Sequence, residues 1–206
     1  MRSFEFARKR VNGEVVNVVG EVKAFKDAQL PEYQTKNSAG ADFFCAEEVT
    51  IPSIWGSLFK IFKSGDANHF MDLIHFPVGS NSVNDIEEVN KVSKLFSPTL
   101  VHTGIKANME EDEVLELYNR SSNPKKLGLI LANSVGVVDA DYYNNQDNDG
   151  EIMFAFYNFK PWNVTLKVGD RVGQGVFKKF LRPVGGLRVK DDERQGGFGS
   201  TDEKVS

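Results

Sequence analysis

The stretch ANSVGVVDADYYNN, residues 132–145, sets Asp139 and Asp141 just past the apolar pair Val137-Val138, with Tyr142 and Tyr143 next. A carboxylate at the end of a β-branched strand is held firmly enough to orient a water and accept its proton, as attack on phosphorus requires. The plainer alternative for Asp139 is a turn aspartate bonded to its own backbone. Tyr142 offers a flat ring on which a deoxyribose could rest, or it is simply hairpin packing. Asn133 opens the same hairpin with an amide able to pair with the edge of a base. Other segments supply anion chemistry. In NRSS (119–122), Arg120 offers a guanidinium and Ser121 a hydroxyl for phosphate oxygens, or the pair is a solvated turn. In GDRVGQGVF (169–177), Gln174 shares a strand face with Val172 and Val176, and a buried amide there needs a partner. In RQGGFGST (194–201), Gly196, Gly197 and Gly199 free the backbone to turn its N–H groups toward phosphate, and Arg194 adds charge. Phe198 adds a ring whose stacking on a base is worth about 1–3 kcal/mol; the alternative is a merely flexible tail.

Those residues have to be positioned by the elements around them, and most of these read as short strands. Residues 15–22 are rich in valine, and Leu115 and Leu117 alternate with polar neighbours. In EIMFAFYNF, Ile152, Phe154 and Phe156 lie on one face and Met153, Ala155 and Tyr157 on the other, which predicts a strand buried on both sides. NVTLKVGD alternates through Val164, Leu166 and Val168 before turning at Gly169-Asp170. Short strands punctuated by Gly, Asn and Pro point to an all-β sandwich or jelly roll. Residues 53–97 depart from this texture. Ile54, Leu58 and Ile61 recur at helical spacing, and Ser82 is placed to cap a second helix ended by Pro98. This segment is expected to be a partly helical insertion in a single domain spanning 1–206, followed by a mobile arm over 191–206.

With 206 residues and 40% hydrophobic composition, the chain can bury one good core. A net charge of −4 argues against sequence-independent nucleic-acid binding, so any anionic substrate must meet local cations or a metal. Cys45 stands alone and reads as structural, which fits a reducing compartment. His69, His75 and His102 show no zinc spacing. No signal peptide and no run of about 20 apolar residues is seen, so the expected location is cytoplasmic, away from membranes.

Five segments in order, SAGADFF (38–44), NRSS, the 132–145 hairpin, GDRVGQGVF and RQGGFGST, closely resemble the trimeric dUTPase family, whose members cleave dUTP to dUMP and pyrophosphate. The connecting stretches QLPEYQTKNSAGAD and LVHTGIKA resemble the family framework as well. The resemblance covers roughly residues 22–51 and 99–201 and leaves the N-terminal arm and the insertion outside. It implies a dUTPase-like jelly roll and a homotrimer in which the tail of one subunit closes a site formed between two others. It makes Asp139 the general base and leaves Asp141 to support the hairpin. Tyr142 would pack on the sugar where a 2′-hydroxyl needs space. Asn133 and main-chain groups around Gly136 and Val138 would read uracil; cytosine would leave buried groups unpaired, a mismatch that can cost about 10⁴–10⁵. Arg120, Ser121, Ser122 and Gln174 would meet the phosphates, and Arg194, Gly197, Phe198, Gly199 and Ser200 would close over the nucleotide. Asp42 would hold water around a Mg²⁺ ion on the triphosphate. Such an enzyme, bacterial or phage, limits uracil in DNA and supplies dUMP. The sequence departs from the family's usual spelling at several points. Ser122 replaces a common Gly, Tyr143 a frequent Arg and Ala41 a larger residue. One residue is missing between Arg194 and Gly196, and Asp202 stands where Gly is frequent.

Two other readings compete. dCTP deaminase shares the β fold and an Arg-Ser-Ser motif, but it needs a strand glutamate where this chain has Ala155. The insertion carries Trp55, Phe59, Phe62, Phe70 and Phe76, enough aromatic surface for a protein partner regulated by nucleotide, or for packing on the β domain.

Overall fold

The computed structural model describes residues 1–8, 10–11, 14–15, 25–63 and 97–185. The helix expected from Ser82, most of the valine-rich stretch and the whole 191–206 arm lie outside these residues. In chain order the first strands are β1 (Ser3–Phe6), β2 (Arg10–Val11), β3 (Glu14–Val15), β4 (Ala41–Phe44), β5 (Val49–Ile51), β6 (Thr99–His102) and β7 (Ile105–Asn108). They are followed by β8 (Glu113–Asn119), β9 (Leu129–Leu131), β10 (Val135–Asp139), β11 (Met153–Asn158), β12 (Val164–Leu166) and β13 (Arg171–Lys179). One sheet runs β10-β8-β13-β4 and another β6-β11-β9; β1-β7, β12-β5 and β2-β3 are two-stranded. All of these strand pairings are antiparallel. The all-β reading holds.

The core forms where the inward residues of these strands meet. Leu115 and Leu117 on β8 pack with Phe43, Ile105, Val101, Leu129, Phe154 and Phe156. Burying side chains of this size is worth about 1.5–3 kcal/mol each. A relay of rings crosses the core: Phe4 meets Phe43 edge-on at 5.3 Å, Phe43 meets Phe154 at 5.6 Å, and Phe154 stacks on Phe156 at 6.3 Å. These rings dictate the glycines around Gln174. A Cβ on Gly173 would overlap the Phe154 ring, and one on Gly175 would stand 2.7 Å from Phe43 Cε2.

On β11, Phe154 and Phe156 are buried on one face as expected, while on the other Ala155 is buried and Met153 and Tyr157 are half-buried. The reading of NVTLKVGD needs one correction. β12 ends at Leu166, and Val168 is exposed in a turn whose Asp170 carboxylate accepts from the Lys167 N–H at 2.8 Å. The aspartate closes the turn two residues earlier than alternation alone suggests.

The first helix of the insertion is present as α1 (Ile54–Lys63). Ser53 caps it, its hydroxyl accepting from the Gly56 N–H at 3.3 Å and donating to the Lys160 carbonyl at 2.6 Å. A capping serine satisfies one of the orphan N–H groups of the first turn. Trp55 and Phe59 are exposed, and the Trp55 indole donates to the Phe159 carbonyl at 3.2 Å. The Phe62 side chain, Phe70 and Phe76 lie outside what is described. No helix among the described residues is long and apolar enough to cross a membrane.

Candidate active site

β9 belongs to one sheet and β10 to the other, so the turn at 132–134 carries the chain between sheets. Ser134 takes a positive φ of 60°, and the Val135 N–H closes on the Asn133 carbonyl at 2.6 Å. Beside this turn lies a cavity of about 220 Å³ whose wall includes Asn133, Gly136, Val138, Tyr142, Glu151 and Ala155. That is below the roughly 300–1,000 Å³ of pockets that enclose a whole drug-sized ligand, and suits one ring with its sugar.

β10 is an edge strand: one side pairs with β8, and among the described residues no strand pairs with the other. An edge strand presents a row of N–H and C=O groups at fixed spacing, a template for a planar ligand with alternating donors and acceptors. Gly136, within this strand, keeps the space between Leu117 and Asn133 clear. A Cβ there would sit 3.1 Å from Leu117 Cβ and 3.4 Å from the Asn133 amide nitrogen. The expected residues Asn133, Gly136, Val138 and Tyr142 therefore do share one pocket.

Tyr142 is buried, on the one-turn 3₁₀ helix Ala140–Tyr142 that follows β10. Its hydroxyl donates to the Glu151 carbonyl at 2.9 Å and accepts from the Asn148 amide at 2.8 Å. Asp139 ends β10 with an extended backbone and is solvent-exposed. It faces a neighbouring cleft of about 330 Å³ shared with Asp141 and Arg182.

The cationic residues gather elsewhere. Arg120 follows β8, and its Nη1 donates to the Arg171 carbonyl at 3.2 Å while its Nε lies 4.0 Å from Asp42 Oδ1. Arg171 donates to Asp42 Oδ2 at 3.2 Å and to the Gln34 amide oxygen at 3.0 Å. Gln174 pairs with Asp42 across β13 and β4, its side chain lying over Gly40. Ser121 is exposed and Ser122 half-buried, leading into a π-helical turn, Asn123–Leu127, that ends at Gly128. Sequence reading gave only a turn here. Asn123 holds the distortion in place, its buried amide donating to the Val172 carbonyl at 2.7 Å.

Strand register separates these two groups. Asp139 pairs with Val114 at one end of β8, whereas Arg120 follows Asn119 at the other. At about 3.4 Å per residue the six positions from Val114 to Arg120 span about 20 Å along the strand. Asp42 lies on the far edge of the sheet, three strands from Asp139. One chain does not bring Asp139 and this cation cluster together. Arg194, Gly197, Phe198, Gly199 and Ser200 lie outside the described residues.

Several residues of this region were not singled out in the sequence. Glu151 lines the pocket, its carboxylate accepting from the Gly104 N–H at 3.0 Å and lying 3.1 Å from His102 Nδ1. The hydrogen bond that the His102 ring donates to the Glu151 carboxylate raises the His102 pKa, burial opposing it. Asp149, fully buried, accepts from Lys106 Nζ at 2.8 Å and from Arg8 Nη2 at 2.9 Å. Burial pushes its carboxyl up, but Arg8 and Lys106 together outweigh this and hold it well below the usual carboxylate range. A lysine inside the apolar run of β7 was the available signal for Lys106. Tyr143, which stands where the family frequently has Arg, donates to Glu5 Oε2 at 2.7 Å. Cys45 is buried and its thiol is pushed up to about 11, mainly by burial, which fits a structural role. No group of three or more His, Cys, Asp or Glu able to hold a metal occurs among the described residues.

Comparison with known proteins bears on this geometry. A family model described as dUTPase matches residues 85–202. A deoxyuridine 5′-triphosphate nucleotidohydrolase of Lactococcus lactis is 51% identical over 120 residues, covering 57% of this chain and 79% of that protein. A protein of the same name from Hydrogenobaculum is 27% identical over 185 residues, covering 88% of this chain and 96% of that one. Among solved structures, the dUTPase of Streptococcus mutans aligns with a TM-score of 0.57 at 32% identity, over 88% of this chain and 98% of the other.

Proposed function

This chain belongs to the dUTPase family, and from that premise we propose that it cleaves dUTP to dUMP and pyrophosphate at a site shared between copies of itself. The observation that carries the reading is the pocket at the outer edge of β10, where Asn133, Gly136, Val138 and Tyr142 converge. Uracil enters this pocket edge-on. Main-chain groups of β10 and the Asn133 amide meet its alternating donors and acceptors, and cytosine, with part of that pattern reversed, leaves buried groups unpaired. The Tyr142 ring lies under the sugar and refuses a 2′-hydroxyl. Asp139, just beyond, takes a proton from the water that attacks the α-phosphorus.

The cations that receive the phosphates are those of a neighbouring copy. Arg120 and Gln174 stand at the opposite end of the sheet from Asp139 in the same chain, so a closed ring of copies has to unite hairpin and cation cluster. The homotrimer of the family supplies such a ring. The segment carrying Arg194, Gly197, Phe198, Gly199 and Ser200 closes over the occupied site as an arm spanning 191–206. The chain is one domain, 1–206, interrupted by the 53–97 insertion.

The residues present fit Mg²⁺ that arrives with the triphosphate, not a resident ion in a protein cage. Asp42 is the one carboxylate placed among the cations described above, and Arg171 already occupies one of its oxygens. Magnesium keeps most of its waters and prefers phosphate oxygens, so Asp42 would hold it through water. When bound, the ion spreads the charge on the phosphates. The deaminase reading loses ground at Ala155, which presents a methyl group to the pocket where that reaction needs a glutamate.

Pyrophosphate release is measured with dUTP, dCTP, dTTP and UTP in parallel, with Mg²⁺ and then with EDTA. The expected result is release from dUTP alone, lost with EDTA. Equal release from dCTP, or none from dUTP, overturns the assignment.

A further inference from the structure

Between Tyr142 and Gly150 the chain makes an excursion built almost wholly from Asn and Asp, and its hydrogen bonds turn back on Tyr142. Asn145 is buried, and its carbonyl oxygen Oδ1 accepts from the N–H groups of Asp147 and Asn148 at 3.0 and 3.1 Å. Its amide donates to the Tyr142 carbonyl at 3.0 Å and to Asn148 Oδ1 at 2.9 Å. Asn148 Oδ1 also accepts from the Gly150 N–H at 3.2 Å, while Asn148 Nδ2 donates to the Tyr142 hydroxyl at 2.8 Å. The other end is anchored outside the excursion. Asp149 holds a positive φ of 62° and is fixed there by Arg8 from the N-terminal segment and Lys106 from β7. Lys106 Nζ donates as well to Asn144 Oδ1 at 2.5 Å.

A phenol ring in a pocket wall can slide or tilt unless its far end is held. Here the hydroxyl is held from both sides, by the Glu151 carbonyl and by Asn148. Resting on the proposed sugar-facing role of Tyr142, we propose that Asn148 is a positioning residue for sugar selection. Clamped by Asn145 and the Asp149 anchor, it fixes the plane of the Tyr142 ring and so sets how strictly a 2′-hydroxyl is refused. Asn148 touches no reacting atom and acts through the tyrosine.

The test measures kcat and KM for dUTP and UTP, with Tm, in full-length protein carrying Asn148→Ala, Tyr142→Phe, both together, and Tyr142→Ala. Asn148→Ala removes the donor to Tyr142 and to the Glu151 carbonyl without offering the tyrosine a new acceptor, and gives up the Oδ1 contacts with Asn145 and Gly150 as well. One net hydrogen bond translates to a fall in dUTP/UTP selectivity of about threefold to tenfold. The fall should come mainly from a lower KM for UTP, with kcat for dUTP nearly unchanged. Tyr142→Phe, which loses the Glu151 carbonyl as well as Asn148, should show a fall at least as large, and the double variant no more than Tyr142→Phe alone, since the Asn148 contact is already gone. Additive losses, or a lowered Tm with unchanged selectivity, overturn the positioning role and leave the tyrosine reading standing. Unchanged selectivity in Tyr142→Ala removes the tyrosine from sugar recognition and the proposal with it.

Discussion

At the β10 hairpin, the proposed binding groups are main-chain groups whose places are set by sheet register, the Asn133 amide and a buried tyrosine. At the far end of β8 they are guanidiniums and a carboxylate already paired with one another. Gly136 has no side chain to move, and Tyr142 is bonded at both faces of its hydroxyl. Arg120 and Arg171, in contrast, share Asp42 and neighbouring carbonyls in contacts of 3.2 to 4.0 Å. In the proposed site a base would meet unchanging geometry, whereas a triphosphate would be met by exchange of ion-pair partners. The difference teaches that selectivity should be lost through small steric changes at the hairpin, and affinity through charge changes at the other pole.

The largest expected effect lies where the hairpin turns to chemistry. Asp139→Asn should lower kcat by roughly 10²–10⁴ while a non-cleavable deoxyuridine triphosphate still binds within a few-fold of wild type, as titration calorimetry would show. Unchanged turnover would put the base elsewhere. Next is Gly136→Ala, whose new methyl crowds Leu117 and the Asn133 amide. KM for dUTP should rise by about tenfold, equivalent to about 1.4 kcal/mol of lost binding, with Tm nearly unchanged. A wild-type KM would mean that the base does not enter beside Gly136. Third, Gly173→Ala and Gln174→Met separate core from site within one motif. The first should lower stability by about 1–3 kcal/mol or more through overlap with Phe154. The second should leave urea unfolding near wild type and raise KM by a few-fold, about what one lost hydrogen bond costs.

The smallest effect is a pH dependence. His102 gains its partner Glu151 on folding, so its folded pKa is raised. That contribution is fully present below the unfolded value of about 6.5 and fades as pH rises through the folded one. The Tm gap between wild type and His102→Gln should therefore be widest in mild acid and narrow toward alkaline pH. A gap that widens with pH would contradict the pairing.

Much of this was legible in the residues. The order of short motifs gave the fold and the hairpin, because β-branched runs ending in Asn, Gly or Asp leave few other conformations. Ile54 and Leu58 announced α1 by spacing alone. The Asp149–Lys106–Arg8 cluster was not legible, since its members come from segments up to 141 positions apart and only the folded chain brings them together. The glycines flanking Gln174 drew no reading of their own from the sequence, and their spacing answers to the rings of Phe154 and Phe43. Periodicity shows that a residue is buried, but not which ring it is buried against. Likewise, nothing local marks the distance between Asp139 and Arg120, which follows from the pairing of β8 with β10.

That separation can be tested directly by mixing two inactive variants, Asp139→Asn and Arg120→Ala, under conditions where subunits exchange, and following dUTP hydrolysis. If each site draws its hairpin from one copy and its cation from another, activity should return to about a quarter of wild type, the chance of the right pairing in a random ring. Activity that stays at the level of the separate variants after exchange is verified would place both groups in one chain and contradict the shared site.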